Sequence, residues 1–100
     1  MDITVEELKQ RMDAGEDLLI IDVREQHEYQ EFNIGAVHIP LSTVPMRMYD
    51  FDDEKDREII VHCRSGVRSN TAKMMMMQSG FTNVRNLIGG MLEWQAKFPG

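Results

Sequence analysis

The sequence predicts an α/β layered fold built on a parallel sheet. Three observations carry that expectation. Strand-like runs at 18–21, 36–39, 58–62 and 82–86 alternate with stretches of helical character, and strands joined by crossover helices pair in parallel. The run Leu18-Leu19-Ile20-Ile21 does not alternate apolar with polar, so it reads as a strand buried on both faces. A chain of 100 residues, 42% hydrophobic and 28% charged, has the length and composition of a single globular domain (1–100) with one core.

Each element has its own signal. Thr4-Val5-Glu6-Glu7 fits a capping box, with the Thr4 hydroxyl accepting from the Glu7 amide and Glu7 reaching back. Ile3 and Leu8 stand where a hydrophobic staple would lie, Val5, Leu8 and Met12 form the apolar stripe, and Gly15 stops the helix. A short helix over 25–32 ends at the turn-prone Asn33 and Gly35, and the strand 36–39 closes at Pro40. A weak helix is expected over 42–49, then a charged surface connection over 50–56. Strand 58–62 runs into Cys-Arg-Ser-Gly-Val-Arg. A helix follows from about Ser69 to Ser79, stopped by Gly80. A short strand 82–86, a loop 87–90 and a last helix 91–97 complete the chain. Ligands in such sheets bind at the carboxyl ends of the strands, where Asp22-Val23-Arg24, Cys63 to Arg68 and Gly89-Gly90 lie.

Charge narrows the function classes. Eleven basic against 17 acidic residues give a net charge of −6, which disfavours binding to nucleic acid or to anionic membrane surfaces. The N-terminal residues lack the basic and apolar regions of a secretory signal, and no stretch is long and apolar enough to span a bilayer, so a cytoplasmic location is expected. The single cysteine, Cys63, excludes an intramolecular disulfide and a cysteine-based zinc site. The three histidines have no metal-ligand spacing with it, so neither metal nor cofactor is expected. The consecutive Met74 to Met77 cover every face of one helical turn, so some of them face the core and some the solvent.

The chemistry resides in Val61-His62-Cys63-Arg64-Ser65-Gly66-Val67-Arg68-Ser69. A thiol between a buried strand and a helix N-terminus meets the helix dipole and unpaired backbone N–H groups, both of which favour thiolate. Arg64 and Arg68 are expected to add positive charge, with the Arg68 guanidinium curling back near the sulfur. Gly66 gives the loop the backbone freedom to turn its amides inward as a nest for a small anion. His62 is the adjacent base candidate, but neighbouring strand residues point to opposite faces.

These residues resemble the single-domain rhodaneses, a family of thiosulfate and persulfide sulfurtransferases. The matching motifs are D-V-R-E at 22–25 with Glu28-Tyr29 behind it, G-A-V-H-I-P-L at 35–41, C-R-S-G-V-R-S at 63–69 and G-G-M-L-E-W at 89–94. The resemblance implies a rhodanese-like α/β fold, a mainly parallel sheet of four to five strands flanked by helices on both faces. It implies that Cys63 is the sulfur-accepting nucleophile and that Arg64, Ser65, Gly66, Val67, Arg68 and Ser69 bind substrate. Asp22 and Arg24 would shape the site floor, and Trp94 would be a packing aromatic. The segment Phe32 to Ala36 is one residue shorter than the corresponding G-H-I-P-G-A of many members and lacks its histidine.

The expected reaction is ping-pong: Cys63 takes sulfane sulfur from thiosulfate, polysulfide or a donor persulfide, and a thiol or cyanide removes it. The partners are thus a small anionic donor and a thiophilic acceptor, with a protein persulfide as a further donor or acceptor. Two alternatives stand beside this reading. One is a non-catalytic binding module. The other is an oxyanion enzyme of the phosphatase or arsenate-reductase kind, whose C-x5-R cradle is one residue longer than the spacing from Cys63 to Arg68.

Overall fold

A computed structural model describes residues 1–99. Four strands form one parallel sheet in the order β2-β1-β3-β4, with β1 at Leu19–Asp22, β2 at Val37–His38, β3 at Ile59–His62 and β4 at Val84–Asn86. The helices are α1 (Val5–Asp13), α2 (Gln26–Glu31), α3 (Val44–Arg47), α4 (Val67–Gln78) and α5 (Gly90–Lys97). A fifth strand is reduced to one parallel bridge, Ile3 to Leu87, at the edge beyond β4.

Side-chain alternation sorts the core onto the two faces. Ile21, Ile59, Val61 and Val84 pack with Val44 and Met48 and with Ala72 and Met76 of α4. Ile20 and Ile60 pack on the other side with Val5 and Leu8 of α1 and with Met91 and Trp94 of α5. Every residue of β1 and β3 is buried, as expected of central strands covered on both faces. Trp94 of α5 is buried as well, edge-on to Phe98.

Local signals hold with informative exceptions. The Thr4 hydroxyl accepts from the Glu7 amide at 3.1 Å, but the Glu7 carboxylate turns to the guanidinium of Arg85 (3.1 Å), leaving the expected capping box half formed. The connection 50–56 is not wholly irregular. A 3-10 helix spans Met48–Glu54, because Met48 is buried and Phe51 packs on the same core between the exposed acids. Helix α4 begins at Val67 rather than near Ser69, with Gly66 as its N-terminal cap. Within the methionine run Met76 is buried while Met74 and Met77 face solvent.

Candidate active site

Cys63 follows β3 directly and is buried on the side of the sheet where α4 packs. Gly66 adopts a left-handed conformation (φ 106°), which glycine reaches at no steric cost, and its amide donates to the Cys63 Sγ at 3.1 Å. The Ser69 amide, in the first turn of α4, lies 3.4 Å from Sγ, and the Ser69 hydroxyl lies 3.3 Å from it. Burial pushes the thiol up. The Ser69 hydroxyl and the Ser69, Gly66 and Ser65 amides more than offset this, so Cys63 sits below its ordinary value.

The arginines are placed differently from the sequence expectation. Arg68 does not curl onto the sulfur. It donates twice to Glu28, at 2.7 and 2.9 Å. Its hydrogen bond holds the Glu28 carboxyl at about 2, against the opposing effect of partial burial. The reason is geometric: a fork-shaped guanidinium matches a carboxylate on α2 better than a single sulfur already served by amides. Arg64 is exposed, as are Ser65 and Val67. The acidity of Cys63 therefore rests on neutral donors rather than on arginine contacts.

Asp22 and Arg24 form a buried pair at the end of β1. Arg24 gives its side-chain N–H groups to both Asp22 oxygens at 2.8 to 3.1 Å, and one more to the Phe32 carbonyl at 2.7 Å. His62 lies 3.8 Å from Asp22, and among the described residues neither ring nitrogen has a hydrogen-bond partner. Burial pushes its pKa down to about 4, so it is a neutral core residue at pH 7. His38 is held by the Arg24 carbonyl at 2.7 Å and stacks on Tyr29, whereas His27 is exposed.

Asn86, which the motif reading passed over, completes the cradle. It ends β4 and shares strand parity with Val84, which packs on the α4 side. Its Oδ1 accepts from the Ser69 hydroxyl at 2.6 Å, and its Nδ2 donates to the Gly66 carbonyl at 2.9 Å. The single proton of the Ser69 hydroxyl thus has two acceptors in reach, Asn86 and the sulfur. A polar residue at the carboxyl end of the strand beside the cysteine strand is the sequence signal that points to it.

The Gly89-Gly90 turn closes the far wall. The Met91 amide donates to the Cys63 carbonyl and the Leu92 amide to the Arg64 carbonyl, both at 2.9 Å. A Cβ on Gly90 would stand 2.5 Å from the Arg64 carbonyl oxygen and 2.6 Å from that of Cys63, so only glycine lets the two backbones approach. A cavity of about 310 Å³ opens beside the loop, between the end of α2 and the start of α5, and Arg24 and Arg64 both line it. All three strand-end segments singled out in the sequence thus meet at one end of the sheet.

Comparison with known proteins finds relatives in sequence and in fold. The chain is 41% identical over 97 residues to YrkF of Bacillus subtilis (strain 168), covering 96% of itself and 51% of that protein, about half its length. It is 38% identical over 94 residues to a sulfurtransferase of Allochromatium vinosum, covering 93% of this chain and 86% of that one. A rhodanese-like domain protein of Staphylococcus aureus has the same fold, with a TM-score of 0.83, 30% identity and coverage of 94% of this chain and 91% of that chain. The model of the rhodanese-like domain family matches residues 4–97. With a match spanning nearly the whole chain, this protein belongs to the rhodanese-like domain family.

Proposed function

We propose that the protein is a sulfurtransferase that carries sulfane sulfur on Cys63 by a ping-pong mechanism. The observation that carries this reading is the cradle itself: a thiol of lowered pKa, with two amides and a hydroxyl converging on its sulfur. The thiolate is the competent nucleophile. It attacks the outer sulfur of thiosulfate, polysulfide or a donor persulfide, and the inner group departs with the electron pair of the broken S–S bond. The same amides then face the persulfide anion and stabilise its charge.

The donors that lower the Cys63 pKa favour the thiolate, the reacting form, without a side chain acting as general base. Since Cys63 is the only cysteine, no second thiol of the chain can resolve the persulfide. The second half-reaction therefore needs an external thiophile, such as a thiol or cyanide. Such a carrier is suited to a reducing compartment, in keeping with a cytoplasmic location. Among the described residues no helix is long and apolar enough to cross a membrane.

The test is intact mass after incubation with donor and removal of the excess. Wild type gains about 32 Da, one sulfur atom, which cyanide removes, and Cys63→Ser gains nothing. If the folded wild type shows no gain with thiosulfate, polysulfide or an organic persulfide, the sulfurtransferase reading fails and a binding module takes its place.

A further inference from the structure

Two features of the site mouth bear on which donor reaches Cys63. The first is charge. Three guanidiniums surround the mouth, but Arg24 is taken by Asp22 and Arg68 by Glu28. Arg64 is exposed and has no ionic partner among the described residues. One further carboxylate, Glu31, lines the same cavity, also exposed and without an ionic partner among them. Three cations thus stand against three anions, and the mouth has no net charge to offset a multiply charged donor approaching a thiolate.

The second feature is shape. The cavity of about 310 Å³ has apolar walls from Phe32, Met91 and Leu92, with Arg64 and Glu31 as its free charges. Thiosulfate has no organic part to cover those walls. A small thiol bearing an amino group and a carboxylate would meet the apolar walls with its carbon chain and the two free charges with its ionic groups.

Building on the sulfurtransferase reading, we propose that the preferred donor is the persulfide of a small amino-carboxylate thiol. Its carboxylate rests on Arg64, and the Glu28–Arg68 pair sets dianionic donors at a disadvantage. In the reaction the Cys63 thiolate attacks the outer sulfur of R–S–SH. A new S–S bond forms at Cys63, the old one breaks, and the pair leaves on RS⁻, giving Cys63–S–SH. Reactants and products each carry one negative charge on the reacting sulfurs, or two where the donor persulfide is ionised and Cys63 is left as the persulfide anion. With thiosulfate the same step brings together three, and the products are the persulfide anion and sulfite dianion. The protein must compensate those extra charges, and with Arg68 held by Glu28 it has little left to do so.

The experiment measures second-order loading of Cys63 by rapid quench and intact mass, using cysteine persulfide, an uncharged alkyl persulfide and thiosulfate. Wild type is expected to load from cysteine persulfide about tenfold or more faster than from thiosulfate. Arg64→Gln should lower the ratio of cysteine persulfide to alkyl persulfide loading by about tenfold, the loss of a charge-assisted contact. Glu28→Gln, which frees Arg68, should raise the ratio of thiosulfate to alkyl persulfide loading by about tenfold. Arg68→Gln, which leaves Glu28 unpaired, should lower that ratio and serves if Glu28→Gln does not fold. Ratios indifferent to Arg64 and to the Glu28–Arg68 pair, with all three donors loading, overturn this donor assignment alone. Loading from none of them overturns the sulfurtransferase reading itself.

Discussion

Two carboxylates in this small domain are held near the same acidity by arginine, and they belong to different kinds of place. Glu28 sits at the site mouth with one ionic partner, Arg68, and also accepts from the Glu25 amide at 3.0 Å; its carboxyl is held at about 2. Glu58 precedes β3 at the opposite end of the sheet, also at about 2. There it is bridged first by Arg11 of α1 at 2.6 and 2.9 Å, and then by Arg85 of β4 at 2.8 Å. Glu7 and Glu16 extend that network. A depressed carboxylate thus does not by itself mark function. Glu58 ties three elements together, whereas Glu28 occupies one of the two arginines, Arg68, that the cysteine loop would otherwise present to an anion.

Four substitutions break or sharpen this contrast. The largest effect belongs to Gly90→Ala. Its new Cβ meets the carbonyls of Arg64 and Cys63, and with the positive φ of this position it should cost about 3 kcal/mol or more in urea unfolding. A loss below about 1 kcal/mol would show that the α5 turn yields easily.

Glu58→Gln comes next, at roughly 1–2 kcal/mol once solvent screening of this partly exposed network is allowed for. The folded pKa of Glu58 lies below its unfolded value. Its contribution is therefore fully present above pH 5 and lost as the pH falls from about 4 to 2. Melts of wild type and Glu58→Gln should diverge at pH 7 and converge near pH 2, while sulfur loading per folded molecule stays the same.

At the other end, Ser69→Ala removes two oppositely placed contacts, one on the sulfur and one on Asn86. Loss of the hydroxyl, the largest of the lowering influences on Cys63, should raise the thiol pKa. Alkylation by iodoacetamide followed against pH reads this directly, and a profile superimposable on wild type would remove the hydroxyl from the mechanism. The smallest effect is the stability cost of Glu28→Gln, below about 1 kcal/mol for a single partly exposed pair. A cost equal to that of Glu58→Gln would erase the distinction between the two carboxylates.

What could be read from sequence divides along the same line. The stretch from Val61 to Ser69 declared itself because its meaning is local: a buried strand, a thiol, a glycine and a helix succeed one another within a few residues. The alternation of strands with helices likewise fixed the α/β class and brought three strand ends to one rim. Helix α4 begins earlier than expected because Gly66 caps it through backbone conformation, without the side-chain oxygen that marks most helix starts. The partner of Arg68 was hidden, since Glu28 lies 40 residues away and meets it only across the folded site. Asn86 was hidden for the same reason, 17 residues beyond the serine it contacts. In segment 50–56 the density of charge masked Phe51, which packs on the core from within a 3-10 turn.

The first residues of the chain reach further into the chemistry than their position suggests. Asp2 accepts from the Asn86 amide at 3.0 Å and from Lys73 of α4 at 2.7 Å, while Asn86 holds the Ser69 hydroxyl that also borders the sulfur. An alteration at Asp2 is therefore three hydrogen bonds from the nucleophile. Whatever alters the hydrogen bonding of Asp2 thus alters the surroundings of the thiol.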